Sequence, residues 1–114
     1  MTSGPPSPAG KKPVTTATPT DVRTYDVRDN AAVQRYELFV DERLIGIADY
    51  HRVDDAVVLP HTVIELGERG RGWGDALVGA ALDDIRRQGL RIVPQCWFVA
   101  EFVEQHPHYS DLVA

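Results

Sequence analysis

Six residues, Arg69-Gly70-Arg71-Gly72-Trp73-Gly74, constrain this chain more than any others. They separate a strand-like run from a helix-like run. Upstream, His61-Thr62-Val63-Ile64-Glu65-Leu66 is rich in β-branched and apolar residues and reads as a buried strand. Downstream, Leu77, Val78, Ala81, Leu82 and Ile85 recur at helical spacing and form one apolar stripe. A helix that starts here exposes unpaired N–H groups and a partial positive charge. Glycines remove the Cβ atoms that would hold an anion off those amides. Arg69 and Arg71 add two cations. Read as R-x-x-G-x-G, the turn is expected to cradle a pyrophosphate or a similar anion. A tight turn with no ligand would use the same glycines, so G-x-G alone does not separate the two. The pattern is not a Walker loop, because no G-K-[ST] follows. It also departs from the dinucleotide fingerprint, since Asp75 stands where the third glycine belongs.

The elements around this turn follow from periodicity. In Gln34–Val40, Tyr36, Leu38 and Val40 alternate with Arg35, Glu37 and Phe39, as in a strand. Asp41-Glu42 reads as a hairpin turn, Leu44–Val53 as a second strand and Asp54-Asp55 as a second turn. Ala56–Leu66 is a third apolar run, and Pro60 inside it predicts a bulge, a break or an edge position. The helix runs from about Gly72 to Gln88, with Gly89 at its C-terminal cap and Arg86 and Arg87 in its last turn. Leu90–Gln95 is the next strand, expected parallel to the third run through a right-handed crossover. Trp97–Gln105 is a short helix, with Phe98 and Phe102, and Val99 and Val103, paired at i,i+4 and His106-Pro107 as its stop. The expected fold class is α+β: an antiparallel β-meander, a crossover helix, a parallel strand and a short C-terminal helix.

Not all 114 residues can contribute to a core. Residues 1–20 hold five Pro, five Thr, two Ser and two Gly, with Met1 and Val14 as the only large apolar side chains. Such a stretch cannot offset its ordering entropy, so residues 1–30 are expected to be a disordered tail and residues 31–114 the domain. Residues 1–20 have no apolar h-region and no Arg, unlike a signal or transit peptide. A folded part of this size sits near the lower end for a self-sufficient core, and a homodimer is one expected way to enlarge it. The single Cys96 excludes an internal disulfide and fits a reducing, cytoplasmic setting. No run of 18 apolar residues predicts a membrane span. Of the 12 basic residues, only Lys11 and Lys12 lie in residues 1–20, which hold no acid; the remainder has 10 against 17 acids, a net −7. So acidic a domain is a poor nucleic-acid binder, and its motif arginines favour a small anionic ligand.

The order of elements, with R-x-x-G-x-G opening the crossover helix, resembles the GNAT superfamily of acetyl-CoA-dependent N-acetyltransferases. More narrowly, the chain resembles its small, minimal members. The resemblance rests on His61-Thr62, Gly70-Arg71-Gly72-Trp73-Gly74-Asp75-Ala76-Leu77-Val78, Val93-Pro94-Gln95-Cys96-Trp97-Phe98-Val99 and His106-Pro107-His108-Tyr109, in that order and spacing. It implies transfer of an acetyl group from acetyl-CoA to an amine, on a small molecule or a protein lysine. A CoA-binding module without catalysis is the alternative. It also implies where the co-substrate lies. The pyrophosphate would meet Arg69, Gly70, Arg71, Gly72, Trp73, Gly74 and Asp75, and the pantetheine arm would pair beside Val63, Ile64 and Glu65. The strands at 61–66 and 90–95 would splay apart there, leaving backbone groups that need partners.

The chain departs from that pattern at three places. Val63 stands where the small family commonly has Glu, and Asp75 where Ser or Thr often follows the last glycine. Asp75 suits a first helical turn but would repel a pyrophosphate. Where larger members carry a Tyr that protonates the leaving thiolate, this chain offers Phe102 and Val103. Cys96, just past the last strand, is therefore the first catalytic candidate, as nucleophile or acid. A buried packing cysteine is the competing reading. His61 is a candidate base and Glu65 a candidate to order a water. Trp73 would either cover the ligand or pack under the helix. The four histidines and Cys96 lack ligand spacing, so no metal site is expected.

Overall fold

A computed structural model describes residues 23–114. Five strands form one sheet in the order β1-β2-β3-β4-β5: β1 Tyr25–Asn30, β2 Arg35–Val40, β3 Arg43–Val53, β4 Ala56–Ile64 and β5 Arg91–Val93. The first four pair antiparallel and β5 joins β4 in parallel, the expected α+β plan. Helix α1 (Trp73–Arg87) makes the crossover, and helix α2 (Trp97–Gln105) follows β5. Among the described residues no helix is long and apolar enough to cross a membrane.

Strand β1 corrects the boundary expected at residue 30. Tyr25–Asn30 pairs with β2 across its full length, from Tyr25 opposite Val40 to Asn30 opposite Arg35. Its apolar signal is thin, because only Val27 is fully buried and the strand lies at the sheet edge. Residues 1–22 of the expected tail lie outside the described residues.

The apolar alternation of β2 places Tyr36, Leu38 and Val40 in the core. They meet the α1 stripe, where Leu77, Val78, Ala81, Leu82 and Ile85 are all buried. Each of the Leu, Val and Ile side chains contributes about 1.5–3 kcal/mol on burial. The same core takes in Val99, Phe102 and Val103 of α2 and Tyr109 and Leu112 of a 3₁₀ segment, Pro107–Leu112. Gly89 ends α1 at φ +74°, and the amides of Gly89 and Leu90 return to the carbonyls of Arg86 (3.0 Å) and Ile85 (3.2 Å). This is the doubly bonded glycine cap of a helix C-terminus.

Pro60 acts as the sequence predicts. Asp49 faces His61 and His51 faces Val58, so Leu59 and Pro60 together oppose Tyr50 alone. That is a β-bulge, where a residue without an N–H is tolerated. The bulge also ends the parallel pairing. Strand β5 touches β4 only at Ala56, Val57 and Val58, and the amide of Cys96 then takes the Leu59 carbonyl at 2.8 Å. Beyond Pro60 the two strands part, and the C-terminal half of β4 has an open edge.

Candidate functional site

The open edge leads straight into the glycine turn, and together they form a cleft of about 370 Å³. Its strand wall is Thr62 and Ile64; its far wall is Phe98 of α2. The alternation of β4 decides which residues face it. The amide of Glu65 donates to Ile45 of β3 at 2.8 Å. Residues of the same parity, Val63 and His61, therefore direct their backbone groups to β3, and Thr62 and Ile64 direct theirs to the open edge. Of the three strand residues expected beside a pantetheine arm, only Ile64 offers its backbone there. The side chains of Thr62 and Ile64 line the cleft, while His61 and Val63 alternate onto the opposite sheet face.

Glycine is required in the turn for two different reasons. Gly70 (φ +80°) and Gly72 (φ +86°, ψ +4°) hold left-handed backbone, and Gly72 is the N-cap of α1. It supplies no side-chain hydrogen bond to the helix amides that follow, which leaves that end suited to an anion. Gly74 serves packing instead. A Cβ there would sit 2.9 Å from Cζ of Phe98, so its absence lets the ring close against α1.

Trp73 packs under the helix: it is 1% exposed, and its ring lies 5.6 Å from that of Tyr25. Its indole N–H is buried with no hydrogen-bond partner among the described residues. Asp75 is half-buried in the cleft wall. Its carboxylate competes with any anion at the amides. Asp75→Ser is therefore expected to tighten any diphosphate ligand of this turn about two- to fivefold, with CoA as the probe in calorimetric titration. Weaker binding by the variant would mean that Asp75 secures the turn rather than opposing the anion.

The sequence reading missed Glu68. It ends a 3₁₀ turn, Leu66–Glu68, and is 7% exposed in the cleft floor. Arg23 bonds it directly, Arg43 donates to Oε2 at 3.1 Å, and Arg71 lies 4.0 Å from Oε1. The hydrogen bond from Arg23 holds its carboxyl below the usual range, against the opposing effect of burial; the charges of Arg23, Arg71 and Arg43 add to the lowering. One buried carboxylate thus gathers arginines from before β1, from β3 and from the turn itself. A depressed folded pKa stabilises the protein above the ordinary carboxylate range, and that part is lost as pH falls below it. Melting temperature measured against pH should show this loss in the wild type. Glu68→Gln should melt lower at neutral pH and change less on acidification; equal acid slopes would contradict it.

The other expected site residues separate. Arg69 lines the cleft, but its Nε donates to the Ile64 carbonyl at 3.0 Å. Glu65 is exposed and engaged by Arg43 at 2.7 Å. Cys96, half-buried, caps α2, and its Sγ donates to Thr62 Oγ1 at 3.6 Å. The thiol therefore reaches the cleft wall through Thr62, whereas His61 and Glu65 do not converge with it. Tyr109 is 1% exposed with its hydroxyl on Asp83 at 2.8 Å, so it is no substitute acid. His106 stacks on Phe102 and its Nδ1 lies 2.9 Å from the Phe102 carbonyl. Among the described residues no three His, Cys, Asp or Glu side chains are grouped to hold a metal ion.

Known proteins share this plan. A sequence model of the GCN5-related N-acetyltransferase family matches residues 35–112. Protein NATD1 of Bos taurus is 37% identical over 59 residues, covering 51% of this chain and 52% of its own length. Protein NATD1 of Danio rerio is 35% identical over 52 residues, covering 46% and 47%. The chain thus spans about half the length of these curated relatives. An NMR structure of a GCN5-like protein from Staphylococcus aureus superposes with a TM-score of 0.58 at 24% identity, over 78% of this chain and 87% of that one, and shows the same fold.

Proposed function

This chain belongs to the GCN5-related N-acetyltransferase family, and on that premise we propose that it moves the acetyl group of acetyl-CoA to an amine. The observation that carries the reading is the continuity of the open β4 edge with the left-handed glycine turn at the start of α1. An extended arm and a diphosphate need those two surfaces, adjoining and in that order. Acetyl-CoA would supply the thioester: the amine nitrogen bonds its carbonyl carbon, the carbon–sulfur bond breaks, the amine loses a proton and the thiolate gains one.

The chain's own groups divide that work. The α1 amides and the turn glycines would hold the diphosphate, and the backbone of Thr62 and Ile64 would align the arm as an added strand. Cys96 would carry the proton at Sγ that the departing thiolate takes, or would take the acetyl group itself. Phe98 and Ile64 would shield the arm from water where it leaves the turn. The acceptor is an amine on a small molecule or a protein lysine, and a reducing, cytoplasmic compartment suits the single thiol.

A binding module without catalysis is the second reading. It is favoured by one observation: His61 and Glu65 do not face the cleft, so neither candidate base joins Cys96 there. Mass spectrometry after incubation with acetyl-CoA separates the readings. A native complex with acetyl transfer to an added amine panel supports the transferase. A native complex without transfer supports the module, and no complex at all rejects both.

A further inference from the structure

Resting on the CoA-binding reading, we propose that Arg69 is a latch that selects ligands carrying both a diphosphate and a pantetheine arm. Arg69 is exposed, and it stands between the two halves of the cleft. Its backbone is extended (φ −72°, ψ +156°), directly after the 3₁₀ turn and before Gly70. From there its Nε reaches back to the Ile64 carbonyl at 3.0 Å. That carbonyl is one of the acceptors on the open β4 edge, where the parity of the strand turns the groups of Thr62 and Ile64 away from β3. Any extended ligand that adds to this edge needs it for an amide N–H.

The guanidinium therefore competes with the arm for this acceptor. A neutral carbonyl is a weaker partner for it than a phosphate, whose charge-assisted bond is roughly twice as strong. A diphosphate settling on the turn draws Arg69 forward and uncovers Ile64. A ligand with the arm alone shares or displaces the Arg69–Ile64 bond and offers the guanidinium no anion in its place. The two ends of the ligand are thereby coupled through one side chain, and the coupling must be reciprocal.

The test uses full-length protein, wild type and Arg69→Ala, titrated with CoA and with its two halves, pantetheine and 3′-phospho-ADP. Arg69 is a surface side chain, so the variant is expected to fold. In the wild type, saturating 3′-phospho-ADP should tighten pantetheine by about three- to tenfold. Arg69→Ala should weaken CoA by about tenfold, tighten pantetheine alone severalfold and abolish the coupling. The Arg69 Nε–H signal of the wild type should shift on adding 3′-phospho-ADP alone. A simple phosphate ligand would lose CoA affinity and leave pantetheine unchanged. Pantetheine that binds the variant no better than the wild type, or coupling that survives in it, overturns the latch. A wild type that binds CoA without coupling also overturns the latch and leaves the CoA-binding reading standing. A wild type that binds no CoA removes the reading beneath it.

Discussion

Replacing Gly72 by valine is expected to abolish CoA binding in a domain that still folds. Gly72 sits at φ +86°, where a β-branched residue is strained by about 1–3 kcal/mol. A small domain of ordinary stability, roughly 5–15 kcal/mol, survives that cost. The turn does not survive unchanged. Relieving the strain rotates the N-cap of α1 and takes the first helix amides off the cleft. Circular dichroism would establish the fold and calorimetric titration the affinity. A folded Gly72→Val protein that binds CoA as the wild type does would defeat the cradle. Gly74→Val is a poorer probe, because its Cβ meets Phe98 at 2.9 Å and the packing of α2 suffers together with the ligand.

The Cys96→Ala variant should lose most acetyl transfer, on the order of a hundredfold, while CoA affinity stays within about twofold. The thiol touches Thr62 on the cleft wall, whereas the glycine turn proposed to hold the diphosphate is at the other end of the open edge. The residue is half-buried and its backbone bond to Leu59 does not need the side chain, so the stability cost should be about 1 kcal/mol or less. Mass spectra with acceptor withheld tell nucleophile from acid. An acetyl-Cys96 adduct in the wild type marks the nucleophile. Transfer without an adduct, lost in Cys96→Ala, marks the acid. Full turnover by Cys96→Ala would make the thiol a packing group.

The placement of Cys96 also shows where reading the chain stops. Its position after the last strand is legible from Leu90–Gln95 and the helix that starts at Trp97. Its partner is not, because Thr62 is 34 residues away and only the parting of β4 and β5 brings them together. Glu68 is a second case. It carries no local signal, and its importance comes from Arg23 and Arg43, which lie 45 and 25 residues away in sequence. Strand β1 is a third. Polar residues dominate Tyr25–Asn30, and an edge strand is held by ladder bonds to its neighbour more than by its own burial.

What the chain determines by itself is local. Period two in Arg35–Val40, period 3.6 in Trp73–Arg87, the cap at Gly89, the stop at His106-Pro107 and the glycine turn are all short-range steric and hydrophobic facts. They suffice for the order of elements and hence for the fold class. Tertiary structure alone decided which face each site residue takes. The bulge at Leu59 and Pro60 adds one residue to β4, and side chains alternate with every residue, so a single insertion resets the parity of all that follows. That reset puts Thr62 and Ile64 in the cleft and His61 and Val63 behind it. Periodicity in a lone strand defines two faces; only the neighbouring strand and helix determine which of them meets the ligand.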